Sequence, residues 1–465
     1  MKTWLVAATA AGIALSAVAR ARAVPAPVDR TAMAAAVKRE FLHAWHGYRQ
    51  YAWGHDALRP LSRKPRDWYA HSLEMTQVDA LDTLVLMGLN RRARTDRLYI
   101  DRHLSFDRDV DAKTFEVTIR LLGGLLSGYE LTGDKHLLAL ADDLGRRLMP
   151  AFDSPTGIPW RFVNLKTGRV RGAETNPAEA GTLMLEFGTL SRLTGNPIFY
   201  RIAKRALVAV WKRRSRIGLV GNRIDVKTGR WTGTDSSISG GIDSYYEYQL
   251  KCSVLFEDPD CARMWRSSIA AVNRYLADDS HGGLWYGHAN MHSGTRTATR
   301  YGALDAFFPA ELALAGEVGR AARLQASSYR MWRLHGIEPE VLDYADMQVV
   351  YPGYELRPEI VESTYYLYHF THDARYLRMG RALFRDFVRY CRTPVAYAAL
   401  SNVVSRKQAD RMESYVFAET FKYFYLLFAP SRTLRFDTVV FNTEGHPLLR
   451  TPPPATTVTP AGVRP

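Results

Sequence analysis

The 465-residue chain is too long for a peptide hormone or a minimal binding module, and it allows roughly three domains of ~150 residues or one large barrel. Its 47% hydrophobic, 12% aromatic and 23% charged content excludes a disordered or collagenous protein. The 62 basic and 47 acidic residues leave +15, but the basic residues are scattered, so nucleic acid is not the expected partner, and three cysteines cannot build a disulfide framework.

Residues 1–23 read as an address. Lys2 supplies the positive start, Trp4 to Val18 is apolar, and Ala21-Arg22-Ala23 offers a small-x-small cleavage site. The apolar run is shorter than the ~20 residues that span a bilayer, so stable membrane insertion is not expected. The expectation is a secreted or periplasmic protein, with the simple signal fitting a bacterial periplasm best.

The body, residues 28–449, carries helical spacing throughout. One run extends from Phe115 to Tyr129 and closes at Thr132-Gly133-Asp134. The same grammar returns at Leu183 to Leu193 before Gly195-Asn196-Pro197, and at Tyr245 to Phe256 before Asp258-Pro259. Weaker copies close near Gly316 and at His372-Asp373. Intervals of roughly 55 to 63 residues point to stacked helical hairpins, about seven in the body. Neither end reads as a polar cap, so a closed toroid fits better than an open array. Residues 450–465, with Pro452-Pro453-Pro454, read as an extended or disordered tail.

Several of the candidate inner helices start with an acid. Glu116, Glu179, Asp243 and Glu359 precede their closing turns by 13 to 17 residues. That common phase aims them at one mouth of the ring. Each alone reads as a solvated or ion-paired acid; four in phase read as a site. Arg120 lies one turn after Glu116, Arg357 precedes Glu359, and aromatics are interleaved. Such a mixture suits a sugar, and glycoside hydrolysis needs two carboxyl groups.

Six segments carry a resemblance. Tyr51-Ala52-Trp53-Gly54-His55-Asp56 with Val78-Asp79-Ala80-Leu81-Asp82-Thr83, Phe115-Glu116-Val117-Thr118-Ile119-Arg120 and Asp243-Ser244-Tyr245-Tyr246-Glu247 are three. Leu356-Arg357-Pro358-Glu359 with Glu362-Ser363, Ala418-Glu419-Thr420 and Phe441-Asn442-Thr443-Glu444-Gly445-His446 complete the set. Together they resemble glycoside hydrolase family 47, the class I α-mannosidases, over residues 40 to 449. The resemblance implies an all-α (α/α)7 barrel with minor β-hairpins, one of which closes an end. It implies a calcium-dependent, inverting exo-α-1,2-mannosidase acting on α-1,2-linked mannosides or mannose-rich glycans, here a bacterial monomer. Glu359 would be the base, and Glu116 or Asp243 the acid. Arg120 and Arg357 would orient these acids and the sugar. Glu362 and Glu419 would bind hydroxyls or waters around Ca2+, Tyr415 would stack, and Thr443 would hold the metal.

The chain departs from that pattern at Gly241, where the family often has an arginine, so a wider and less branch-selective mouth is expected. The disulfide typical of eukaryotic members has no counterpart in spacing; Cys252 and Cys261 are compatible with a bridge or with buried thiols, like Cys391. Two other readings stand beside the hydrolase. A non-catalytic mannose-glycan binder of the same fold would release no sugar, and a sugar epimerase would use histidines, absent from the three acid-bearing segments.

Overall fold

The computed structural model describes residues 27–451; the signal at 1–23 and tail residues 452–465 lie outside them. Among the described residues, seven helix pairs form an (α/α)7 barrel. The inner helices are Met75–Leu86, Gly123–Thr132, Met184–Thr194, Asp243–Phe256, Phe308–Leu314, Glu359–Thr371 and Phe421–Phe428. Six are followed directly by their outer partners, Asn90–His103, Lys135–Leu148, Pro197–Lys212, Pro259–Tyr275, Val318–His335 and Ala374–Cys391. The seventh outer helix is Arg30–Tyr51, which packs on Phe421–Phe428 and closes the ring from the other end of the chain.

The recurring turn grammar has a physical cause. Gly133, Gly195 and His372 end inner helices in the left-handed conformation, at φ of 73°, 72° and 53°. The next residue but none starts the outer helix: Asp134, Asn196 and Asp373 each accept a backbone N–H bond as its N-cap. Glu257 and Asp258 repeat the pair in a fourth hairpin. Inner helices are buried on nearly every side, as Met75–Leu86 is, whereas outer helices keep one wet face. Cys252 and Cys261 form a disulfide across that fourth turn, with Cα atoms 5.9 Å apart, and Cys391 is a buried free thiol.

Short antiparallel strands fill the connections from each outer helix to the next inner one, so they gather on the rim where inner helices begin. A last hairpin, Val439–Phe441 with Pro447–Leu449, follows the final inner helix and enters from the opposite rim. It packs against the inner helices Gly123–Thr132 and Asp243–Phe256. Gly123 and Gly124 make room for it. A Cβ on Gly123 would meet Asn442 Nδ2 at 2.5 Å, and one on Gly124 would lie 3.2 Å from His446. Among the described residues, no helix is long and apolar enough to cross a membrane.

Candidate active site

The rim at which the inner helices start surrounds a cavity of about 280 Å³. Glu116, Asp243, Glu359, Arg120, Arg357, Glu362, Tyr415, Glu419 and Thr443 all line it, as does Glu179. The hairpin turn that carries Thr443 forms the floor, so the cavity is a blind pocket. Asp243 and Glu359 sit in the first turns of their helices. Arg120 and Glu419 lie on one-turn π-helical segments, Thr118–Leu122 and Val416–Thr420, which interrupt the α-helical spacing and re-aim their side chains.

The acids differ in what holds them. Glu116 accepts from Arg120 Nε at 3.1 Å and Lys113 Nζ at 3.2 Å. Burial works against its charge, but Arg120 and Lys113 outweigh it and keep the carboxyl below the usual range. Asp243 has no such cation. Burial lifts it to about 7 against one bond from the Ser244 N–H, and Glu247 and Asp305 push it further. Glu359 Oε2 has no hydrogen-bond partner among the described residues. Burial raises that carboxyl to about 8, with Arg357 opposing and Glu340 and Glu362 adding. Glu179, bonded to Lys113, Arg161 and Thr175, is fully occupied in holding the rim together.

Arg120 bridges Glu116 to Glu444 and lies 5.7 Å from the centre of the Tyr415 ring. The Tyr415 hydroxyl donates to the Glu355 carbonyl, which fixes the ring at the mouth. Arg357 lines the pocket beside Asp243 and Glu359. Its guanidinium is gripped by Glu340, at 2.9 to 3.2 Å, and reaches Asp243 and Glu359 through its field. Lys251, fully buried, bonds Glu247 at 2.6 Å and lies 3.8 Å from Glu362. Sequence reasoning missed Lys113, Glu340 and Lys251: the first and last pair locally with Glu116 and Glu247, but their further contacts with Glu179 and Glu311, like the grip of Glu340 on Arg357, cross elements.

The pocket is strongly acidic within a basic protein: eight carboxyl side chains line it against three cations. Glu419 shows the consequence. Burial, then Glu444, Glu359 and Glu362, hold it well above the usual range. Thr443 lines the floor, its N–H donates to Tyr248 at 3.3 Å, and its hydroxyl and carbonyl oxygens have no hydrogen-bond partner among the described residues. Unneutralised oxygen donors of this kind fit a hard divalent cation such as calcium. Among the described residues, no three His, Cys, Asp or Glu side chains form a ready ligand cluster, so most ligands of such an ion would be waters and substrate.

The family model described as Glycosyl hydrolase family 47 matches residues 40–450. The chain belongs to glycosyl hydrolase family 47. It is 39% identical to Alpha-mannosidase I MNS4 of Arabidopsis thaliana, over 90% of this chain and 69% of that one. It is 35% identical to the human mannosyl-oligosaccharide 1,2-alpha-mannosidase IB, over 89% and 69%. Among solved structures, the alpha-1,2-mannosidase from Trichoderma reesei superimposes with a TM-score of 0.84 at 28% identity, covering 90% of this chain and 99% of that one. Within this family 47 chain, Gly241 lines the pocket with φ at 93°, a conformation that itself favours glycine. A side chain at this position would be strained in that backbone.

Proposed function

We propose that this family 47 chain is an exported, calcium-dependent, inverting exo-α-1,2-mannosidase, acting as a monomer on α-1,2-linked mannosides or mannose-rich glycans. The carrying observation is the pairing of Asp243, which keeps a proton to near pH 7, with the unpartnered Glu359 oxygen in one blind pocket. A pocket with a floor admits a chain end and not a chain middle, which supports exo action. The linkage and metal rest on the family resemblance and on the names of the relatives above; the bacterial, exported origin rests on residues 1–23.

In this reading Glu359 takes a proton from water as that water's oxygen bonds to the anomeric carbon. The glycosidic C–O bond breaks, and Asp243 gives its proton to the departing oxygen. Glu116, held ionised by Arg120 and Lys113, is a poor proton donor and instead accepts a sugar hydroxyl or orients water. Thr443 would hold a calcium ion together with waters and sugar hydroxyls, and the ion's positive charge would lower the surrounding carboxyl groups. Tyr415 and Arg120 orient the ring. Glu362 and Glu419 accept from hydroxyls or waters.

The test is release of mannose from α-1,2-mannobiose, followed by early-time proton NMR with and without a chelator. β-Mannose should appear first, and release should stop on chelation and return with calcium. Initial α-mannose would sink the inverting mechanism. A second reading, glycan binding without hydrolysis, draws on the raised Glu359 carboxyl, which is protonated and useless as a base near neutral pH unless a cation lowers it. Binding without release in saturating calcium would select it.

A further inference from the structure

Lys251 has no task in the mechanism above, yet it is a fully buried cation that does not line the pocket. It lies on the inner helix Asp243–Phe256, one turn deeper than Glu247. Its Nζ stands where three inner helices meet. Glu247 Oε1 is 2.6 Å away, Glu311 Oε1 on Phe308–Leu314 is 3.3 Å away, and Glu362 Oε1 on Glu359–Thr371 is 3.8 Å away. Among the described residues, no other cation pairs with Glu247 or Glu362.

Which oxygens are taken decides what is left for a ligand. Glu247 and Glu362 line the pocket, and among the described residues every side-chain hydrogen bond and ion pair of the two is made through Oε1. On Glu362 the Tyr423 hydroxyl adds a bond to that same oxygen at 3.2 Å. Each carboxylate is held by one oxygen from beneath, and its Oε2 is left as an acceptor. Those two Oε2 atoms are not sealed in the protein, whereas both oxygens of Glu311 are. Glu311 does not line the pocket, and burial holds its carboxyl above the usual range, so the charge of Lys251 falls to the two pocket acids. A buried carboxylate deprived of its cation takes up a proton or turns to another donor.

We propose that Lys251 is a positioning residue: by drawing Oε1 of Glu247 and of Glu362 toward itself, it presents their Oε2 atoms as two fixed acceptors for hydroxyls of the sugar in the pocket. The proposal rests on the mannosidase reading for the identity of that sugar. It gives Glu247 a task beside that of Glu362, and it places the origin of both in a side chain that the sugar never touches.

Lys251→Met tests it, since methionine keeps most of the length and removes the charge and its donors. Turnover of α-1,2-mannobiose is measured in calcium, and the same sugar is titrated calorimetrically in a Glu359→Gln background. KM and Kd should rise about ten- to a hundredfold, the scale of a lost charge-assisted hydrogen bond, while kcat changes less than about threefold. A double-mutant cycle separates positioning from a merely structural role. In a Glu247→Gln, Glu362→Gln protein, Lys251→Met should weaken binding no further, because the groups it acts through are gone. Glu311→Gln, which leaves Lys251 and both pocket acids in place, should shift Kd less than about twofold. Lys251→Gln replaces the methionine variant throughout if circular dichroism shows that the latter does not fold. A full further loss in the doubly substituted protein, a loss confined to kcat, or a Glu311→Gln protein as weak as Lys251→Met overturns the proposal. Failure of the wild-type protein to release mannose defeats the mannosidase reading separately, because the titrations need no turnover.

Discussion

Two carboxyl groups of similar burial are pushed in opposite directions by their neighbours, and the proposed mechanism rests their roles on that difference. Glu116 faces Arg120 and Lys113 and stays ionised, whereas Asp243 faces Glu247 and Asp305 and keeps its proton to about 7. If Asp243 is the acid, kcat falls as pH rises through about 7, since the working form is protonated. Asp243→Asn should remove that limb along with most of the activity, while Glu116→Gln should leave its midpoint in place. A pH profile from 5 to 9 on the three proteins decides it; loss of the limb in Glu116→Gln alone would move the role to Glu116. Glu359 must work ionised, so its limb has the opposite sign, and bound calcium should shift it below the metal-free value of about 8. Replacing this base by glutamine should lower turnover at least ~10²-fold with glycan binding retained, the usual scale for a lost general base. Near-normal turnover in the purified variant would remove Glu359 from the chemistry.

The closing hairpin is fixed by a buried network that ties the floor to Arg120 in the pocket. His446 contacts Asp82 at 2.8 Å and Asp79 at 3.2 Å, and Lys422 donates to Asp82 at 2.8 Å and to the Gly445 carbonyl at 2.6 Å. Asp79 in turn lies 3.8 Å from Arg120. Asn442 sets the turn, accepting from the Glu444 and His446 N–H groups and donating to the Ile119 carbonyl and Glu186. Burial opposes the His446 charge, but Asp82 and Asp79 prevail and raise it to about 9. A histidine raised in this way contributes its full stability below its unfolded value of about 6.5 and loses it as pH climbs through 9. Asp82, lowered to about 2 by Lys422 and His446 against burial, contributes above about 3.9 and fails only near that low value. Removing one partner strands a buried charge, so His446→Gln should cost about 3–5 kcal/mol near pH 6. The deficit relative to wild type should shrink above pH 9. Urea unfolding at the two pH values measures both, and a loss under 1 kcal/mol near pH 6 would show that the network is not what holds the hairpin.

At the scale of the whole ring, the sequence revealed what is local and periodic. A left-handed residue followed by an Asp or Asn cap recurs at four of the hairpins, so the turns at 133, 195, 258 and 372 were readable, and the acids near the inner helix starts with them. The π turns that aim Arg120 and Glu419 were not, because one extra residue in a turn barely disturbs an apolar pattern. Nor was the grip of Glu340 on Arg357, which depends on two elements meeting. Ring closure was the largest gap: Arg30–Tyr51 finds its partner, Phe421–Phe428, nearly the whole chain away. Phe41 meets Phe417 and Phe421 edge-on at 5.4 and 5.8 Å, and Trp45 packs on Phe417 at 5.5 Å. In an open helical array the terminal units fray independently. In a closed ring the first and last helices share one interface and should open together. Phe41→Ala removes a fully buried ring there and should cost about 3–5 kcal/mol. Amide exchange should then quicken in 30–51 and 421–428 in parallel, and in the catalytic π turn 416–420 between them, while Pro197–Lys212 on another part of the ring stays protected. Faster exchange confined to 30–51 would mean that the two helices touch without being coupled.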